Sequence, residues 1–213
     1  MQHPLIAFGN VPITSSAIAS MYPDISQLAK KIVDLEKKDE IIRLKRGVYV
    51  VNPQITGKIL STELIANHLC SPSFISLHTA LRYYGLIPER VCVVQSMTTK
   101  QKRSFTNAYG CFDYIHAERK SFHIGVTQVF EEGIYFLIAT PERALCDLIA
   151  HTKGLTLRYI TEVQKYIEED IRFDMDFFDT ARIEIFEEYA SVGKKRGSIR
   201  TLINWIKNER DIR

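Results

Sequence analysis

The sequence has 213 residues, of which 46% are hydrophobic and 25% charged, with a formal net charge of +3. This composition is typical of a globular protein and argues against a disordered chain, and the length suffices for one large core or two small domains. A net charge of this size does not by itself indicate a nucleic-acid-binding protein, so the distribution of basic residues matters more. Lysines and arginines concentrate between Lys30 and Arg46 and again between Lys194 and Arg213.

The chain shows no sequence signal for a membrane or an oxidising compartment. Its first residues lack a cationic start followed by an apolar run, and no uncharged stretch approaches the roughly 20 residues of a membrane span. The four cysteines are Cys70, Cys92, Cys111 and Cys146. They are widely spaced among apolar neighbours and form no CxxC pair, which predicts reduced thiols in the core. We therefore expect a cytoplasmic protein.

Two helices are predicted near the start of the chain. The first runs from about Ser15 to Met21 and ends before Pro23. The second has an apolar stripe with helical spacing, made of Ile25, Leu28, Ile32 and Leu35. Its other side is polar and mostly basic, with Gln27, Lys30, Lys31, Asp34 and Lys38. A charge run of this kind is often only a solvated face, so the helix alone does not indicate function.

The stretch "IIRLKRGVYVV" that follows is typical of a basic hairpin. It predicts strands over Ile41–Leu44 and Val48–Val51, joined by a turn at Lys45, Arg46 and Gly47. Helix, turn, basic helix and basic hairpin follow one another as in a winged helix-turn-helix, whose second helix enters the major groove while the wing neutralises phosphates. Acidic residues among these cations reduce the positive charge of the patch, namely Asp34, Glu36, Asp39 and Glu40. We therefore expect a weak or partner-dependent DNA contact.

We place a domain boundary after residue 56. The predicted fold class is α+β, with a winged helix-turn-helix over 1–56 and a second domain over 57–213, mixed α/β over 57–150 and helical over 151–213. Ser76 and Thr140 are predicted helix N-caps, Gly85 ends the helix that Ser76 begins, and Pro141 takes the first helical position. Arg158 to Lys207 is interpreted as three helices, the last of which either docks on the body or makes a second DNA-backbone contact.

Catalytic motifs are scarce. No glycine-rich phosphate loop, nucleophile elbow or HExxH motif occurs, and we expect no enzyme, cofactor or metal. The string "DYIHAERK" leaves a metal-dependent nuclease open as an alternative, with Asp113, Glu118 and Lys120 as its candidates. Carboxylates five residues apart on one strand point to opposite faces, which disfavours convergence on one ion. A protein-interaction module with a vestigial winged helix is the other alternative.

Three stretches together resemble the AbiEi-type antitoxins of bacterial abortive-infection systems: "RLKRGVYVV", "PSFISLHTALRYYGLIPE" and "IATPERALCDLI". The resemblance spans nearly the whole chain. It implies a non-enzymatic protein whose N-terminal winged helix represses its own operon by binding double-stranded promoter DNA, with a homodimer left open. It also implies a C-terminal antitoxin domain that opposes a nucleotidyltransferase toxin in a type IV manner, without a stable complex.

The resemblance also assigns residues. Arg43, Lys45 and Arg46 become phosphate contacts of the wing, and the preceding helix supplies groove contacts from Gln27, Lys30, Lys31 and Lys38. The motif residues of the second domain are assigned architectural roles, namely Ser76, Gly85, Thr140 and Pro141. Members of this family usually have an additional first helix, for which the sequence before Tyr22 leaves little room. The winged helix is therefore expected to lack that helix or to shorten it.

Overall fold

The computed structural model describes residues 4–22 and 27–212 and confirms the α+β class. The first described element of the N-terminal unit is a 3-10 helix, Pro4–Phe8, in the place where the additional first helix was expected to be lacking or shortened. Its other elements are β1 (Ile13–Thr14), α1 (Ser15–Ser20), α2 (Leu28–Lys37), β2 (Ile41–Lys45) and β3 (Val48–Val51). Pro23 and Ile25, which were part of the prediction for the two helices, lie outside the described residues.

Local sequence explains the two helices and the hairpin. The Thr14 hydroxyl accepts a hydrogen bond from the Ala17 amide at 3.3 Å and so caps α1. In α2 the predicted apolar stripe is buried at Ile32 and Leu35, which belong to the hydrophobic core of the N-terminal unit. β2 and β3 follow the predicted strands closely, and Gly47 at φ +78° permits the tight turn between them.

The hairpin lies between two hydrophobic cores. β1, β3 and β2 form an antiparallel sheet in that order, with Arg43 opposite Tyr49. Because side chains alternate along a strand, one face of the hairpin packs Tyr49 into the small core, while Leu44 and Val50 on the other face join the large core. The small core consists of Leu5, Ile13, Ile18, Ile32, Leu35, Ile41, Tyr49 and Val51. The hairpin is therefore anchored on both sides.

The second unit is built on a mixed six-stranded sheet. Its strands are β4 (Ser73–Ile75), β5 (Val93–Thr98), β6 (Arg103–Asn107), β7 (Gly110–His116), β8 (Val126–Glu131) and β9 (Ile134–Ala139). They follow the spatial order β6-β7-β5-β4-β9-β8, with parallel pairing between β5 and β7 and between β4 and β9. Helices α4 (Thr62–Leu69) and α5 (Leu77–Tyr83) connect and cover it, and a 3-10 turn, Arg119–Ser121, precedes β8. The short helix α3 (Pro53–Thr56) precedes them and packs Ile55 against the small core of the N-terminal unit.

Helices complete the chain after the sheet. They are α6 (Pro141–His151), α7 (Ile160–Lys165) with a π-helical extension Tyr166–Asp170, α8 (Phe177–Thr180), α9 (Ile183–Val192) and α10 (Arg196–Ile212). The prediction of three helices over 158–207 was thus wrong, since α8 is a short additional one. None of the helices in the described residues is long and apolar enough to cross a membrane.

One motif residue of the second unit, Ser76, contacts a buried ion pair. Thr140 caps α6, Pro141 is its first residue, and Gly85 follows α5 at φ +74°, as predicted. Ser76 occupies the N-cap position of α5, but its hydroxyl donates to Asp147 Oδ2 at 2.8 Å instead of capping the helix. Arg143 Nε donates to the same carboxylate at 2.9 Å, with both side chains buried. The motifs therefore join α5 to α6 through a charged contact.

The cysteines fall into two classes. Cys70 and Cys146 are buried free thiols, which fits the predicted core position, and burial raises the pKa of Cys146. Cys92 and Cys111 are also free but exposed, so the prediction of core thiols was wrong for these two. Both lie at or beside strands of the sheet, where apolar neighbours in sequence alternate between inner and outer faces.

Candidate nucleic-acid interface

The outward side of α2 presents a polar and partly basic surface. It exists because Ile32 and Leu35 hold the opposite side against the small core. Lys30 and Lys38 are exposed, as is Gln27 at the residue before the helix. Sequence reasoning placed these residues correctly on the outer side but missed three exposed neighbours, Ala29, Val33 and Lys37. We call this surface the α2 face.

Lys31 lies at the edge of the α2 face and is half-buried. Its Nζ lies 4.4 Å from the centroid of the Tyr22 ring, a cation–π distance. This contact holds the ammonium close to the surface of the small unit, whereas Lys30 has an exposed side chain. Of these two adjacent lysines, Lys30 is thus better placed to reach a ligand in front of α2.

A groove of about 400 Å³ separates the α2 face from the hairpin turn. The helices contribute small and apolar residues to its lining, namely Ser15, Leu28, Ala29, Ile32 and Val33. The hairpin contributes Arg43, Arg46, Gly47 and Tyr49. Arg46 is exposed in the turn, and its guanidinium makes no hydrogen bond or ion pair with the residues that the structure describes. A cation thus borders the groove on the side opposite α2.

Arg43, the second predicted phosphate contact, is engaged within the protein. Its Nε and Nη2 donate to the two carboxylate oxygens of Glu36 at 2.8 and 2.5 Å. The guanidinium carbon lies 5.7 Å from the centroid of the Tyr49 ring. This bidentate pair raises the pKa of Arg43 and offsets its charge locally. A guanidinium in this state is not a free phosphate ligand.

Lys45, the third predicted wing cation, contacts the second unit. Its Nζ donates to the backbone carbonyl of Leu69 at 2.5 Å and lies 5.4 Å from the centroid of the Phe105 ring. Burial lowers the pKa of Lys45, and the Asn107 amide donates to the Leu44 carbonyl beside it. Lys45 therefore fastens the hairpin to the second sheet instead of projecting from the turn.

The residues of the nuclease alternative lie on two different elements. Asp113 lies within β7, whereas Glu118 and Lys120 are exposed residues at the 3-10 turn beyond the strand. Among the residues described, no group of three or more histidine, cysteine or acidic side chains is arranged to hold a metal ion. Of the two histidines in this region, His116 Nδ1 lies 3.1 Å from the Lys100 carbonyl and His123 lies 3.6 Å from Glu188.

The C-terminal basic segment packs on the body of the protein. Lys195 donates to the carbonyls of Ile149 and Thr152 at 3.0 and 2.6 Å. In α10 the predicted apolar side is buried at Leu202, Ile203, Trp205 and Ile206. Docking thus accounts for α10 and Lys195, while Lys194 and Arg196 are exposed.

Comparison with known proteins gives no independent assignment for these surfaces. No protein-family model matches the chain, and no curated protein matches it either.

Proposed function

We propose that this protein is a transcriptional repressor and antitoxin of the AbiEi type, with an N-terminal winged helix that binds promoter DNA. The observation that carries the proposal is the order of the small sheet, β1-β3-β2, with α1 and α2 between β1 and β2. In this arrangement α2 is the recognition helix and the β2–β3 hairpin is the wing. Ala29 and Val33 of the α2 face line one groove with Arg46, so we propose that a duplex meets α2 and the turn together.

The α2 face offers chemistry for reading bases. Glutamine side chains pair with adenine, and lysines donate to guanine O6 and N7 in the major groove, which suits Gln27 and Lys30. Arg46 on the other side of the groove, and Lys31 and Lys38 on α2, would contact phosphates. Asp34 on the same face repels phosphates and accepts from cytosine N4, so it restricts where the helix can bind. The expected interaction is specific but of modest affinity.

The second unit is the proposed antitoxin domain. The family resemblance of its motifs supports this role, together with opposition to a nucleotidyltransferase toxin in the cytoplasm without a stable complex. The motif residues described above join α5 to α6 internally, which suits architectural roles rather than catalysis. We propose no cofactor and no catalytic residue. The hairpin contacts through Lys45 would hold this domain close to the bound DNA.

Repression and antitoxicity can be separated in cells. A reporter driven by the upstream region of the operon should be repressed by the protein and released by Lys30→Ala/Arg46→Ala. The same variant should still relieve growth inhibition by a nucleotidyltransferase encoded in that operon, because these residues lie outside the second unit. Lys153→Ala/Lys165→Ala removes the same charge from exposed sites in the second unit and should leave repression intact. Absence of repression by the unmodified protein would contradict the DNA-binding role.

A further inference from the structure

We infer that Arg43 is a positioning residue, which together with Glu36 braces the wing against α2, and that it does not contact phosphate. The inference rests on the proposed function and refines the sequence prediction for this residue. We call the Glu36–Arg43 ion pair the brace.

The geometry of the brace fixes both the distance between α2 and β2 and their relative orientation. Arg43 lies in the middle of β2, and Glu36 lies one residue before the end of α2. Two parallel N–H···O bonds, at 2.8 and 2.5 Å, hold the guanidinium and carboxylate in one plane. Tyr49, buried in the small core and paired with Arg43 across the hairpin, supports the guanidinium through its ring. The brace thus links the recognition helix, the wing and the core.

Charge argues against a phosphate contact at Arg43. The Glu36 side chain is 23% exposed, so its carboxylate would face the DNA backbone if Arg43 moved to a phosphate. That exchange leaves a carboxylate without its partner next to a polyanion, which is unfavourable. Arg46, three residues further on, makes no ion pair within the described parts of the chain and meets no such obstacle. Two arginines of one hairpin therefore have different roles.

A fixed angle between α2 and the wing lowers the cost of binding. If the two elements must be ordered when DNA arrives, part of the interaction free energy is lost to that ordering. The brace sets their relation beforehand, so that the α2 face and Arg46 are presented together. Removing it should weaken binding while every phosphate interaction is kept.

The test compares four variants on the upstream duplex across a salt series: Arg43→Ala, Arg43→Glu, the charge swap Glu36→Arg/Arg43→Glu, and Arg46→Ala as the matched arginine control. Arg43→Ala should weaken binding about two- to fivefold, the effect expected for the loss of an exposed ion pair. The salt slope, which is the slope of log K for DNA binding against log [salt], should not change. Arg46→Ala should reduce the magnitude of the salt slope by about 0.9, the value expected when one phosphate is no longer neutralised. Arg43→Glu should lower both affinity and Tm, and the charge swap should restore both.

Two results would overturn the inference alone: a slope lowered by about 0.9 in Arg43→Ala, or a charge swap that recovers neither Tm nor affinity. The Tm comparison needs no DNA and reports on the brace directly. If the unmodified protein showed no preference for the upstream duplex over a scrambled one, the proposed function would fail and this inference with it.

Discussion

Replacing Asp147 with alanine is expected to destabilise the protein by about 3–5 kcal/mol, because it leaves a buried guanidinium without its counter-charge. Asp147 is fully buried and accepts hydrogen bonds from Ser76 Oγ, Arg143 Nε and Tyr189 Oη at 2.8, 2.9 and 3.2 Å. Arg143 is equally buried, so its charge would lose its partner in a part of the protein that bulk solvent does not reach. Since domains have about 5–15 kcal/mol of stability, this loss is a large fraction of the total. Denaturant unfolding measures it.

A double-mutant cycle shows whether the charge pair is the cause. Arg143 also donates to the carbonyls of Ser121 and Ile124, so Arg143→Met is destabilising by itself. The variant Arg143→Met/Asp147→Ala should lose less stability than the sum of the two single variants, because no isolated charge remains buried. Additive losses, or a cost below about 1 kcal/mol for Asp147→Ala, would contradict this description of the site.

Trp205→Ala is expected to cost about 3–5 kcal/mol, the range for removing a large buried aromatic side chain. Trp205 is completely buried in α10 and packs edge-to-face on Phe178 with ring centroids 5.0 Å apart. The result separates the two interpretations of this basic helix, because a helix that served chiefly as a DNA contact would tolerate the change. The free energy of unfolding from a denaturant titration is the measurement.

Trp205→Phe is the matched control for that prediction. The indole N–H of Trp205 has no hydrogen-bond partner in the part of the chain that the structure describes, so phenylalanine removes no polar contact. It should therefore cost less than Trp205→Ala, because it leaves a smaller cavity and keeps an aromatic ring against Phe178. A cost for Trp205→Ala as small as that for Trp205→Phe would mean that α10 is not firmly docked.

Local chemistry explains what could be predicted from the sequence. The hairpin followed from β-branched residues on either side of Gly47, and α6 followed from the Thr140–Pro141 pair at its start. The exposed positions of Lys30 and Lys38 followed from the apolar stripe on the other side of α2. Each of these depends on residues within a few positions of one another, so helical or strand periodicity was sufficient.

The partners of the charged groups could not be predicted in this way. Glu36 looked like a diluting acidic residue, but it pairs with Arg43 seven positions away across the junction of helix and strand. Lys45 looked like a wing cation, but the Leu69 carbonyl, 24 positions away, binds it because the hairpin packs on the second unit. Arg143 and Asp147 have the spacing of a surface pair on a helix. Only the surrounding helices and sheet reveal that this pair is buried.

Fluorescence anisotropy across a salt series tests most directly whether the α2 face and Arg46 together bind the upstream DNA. The unmodified protein should prefer the upstream duplex to a scrambled one. Lys30→Ala/Arg46→Ala should weaken binding to the upstream duplex, because Lys30 contacts a base and Arg46 a phosphate. The slope of log K against log [salt] should become shallower by about 0.9, the value for the one phosphate that Arg46 neutralises. The control Lys153→Ala/Lys165→Ala should keep both values. Equal and feeble binding of both duplexes by all three proteins would contradict the claim and leave the second unit as the place to seek the activity.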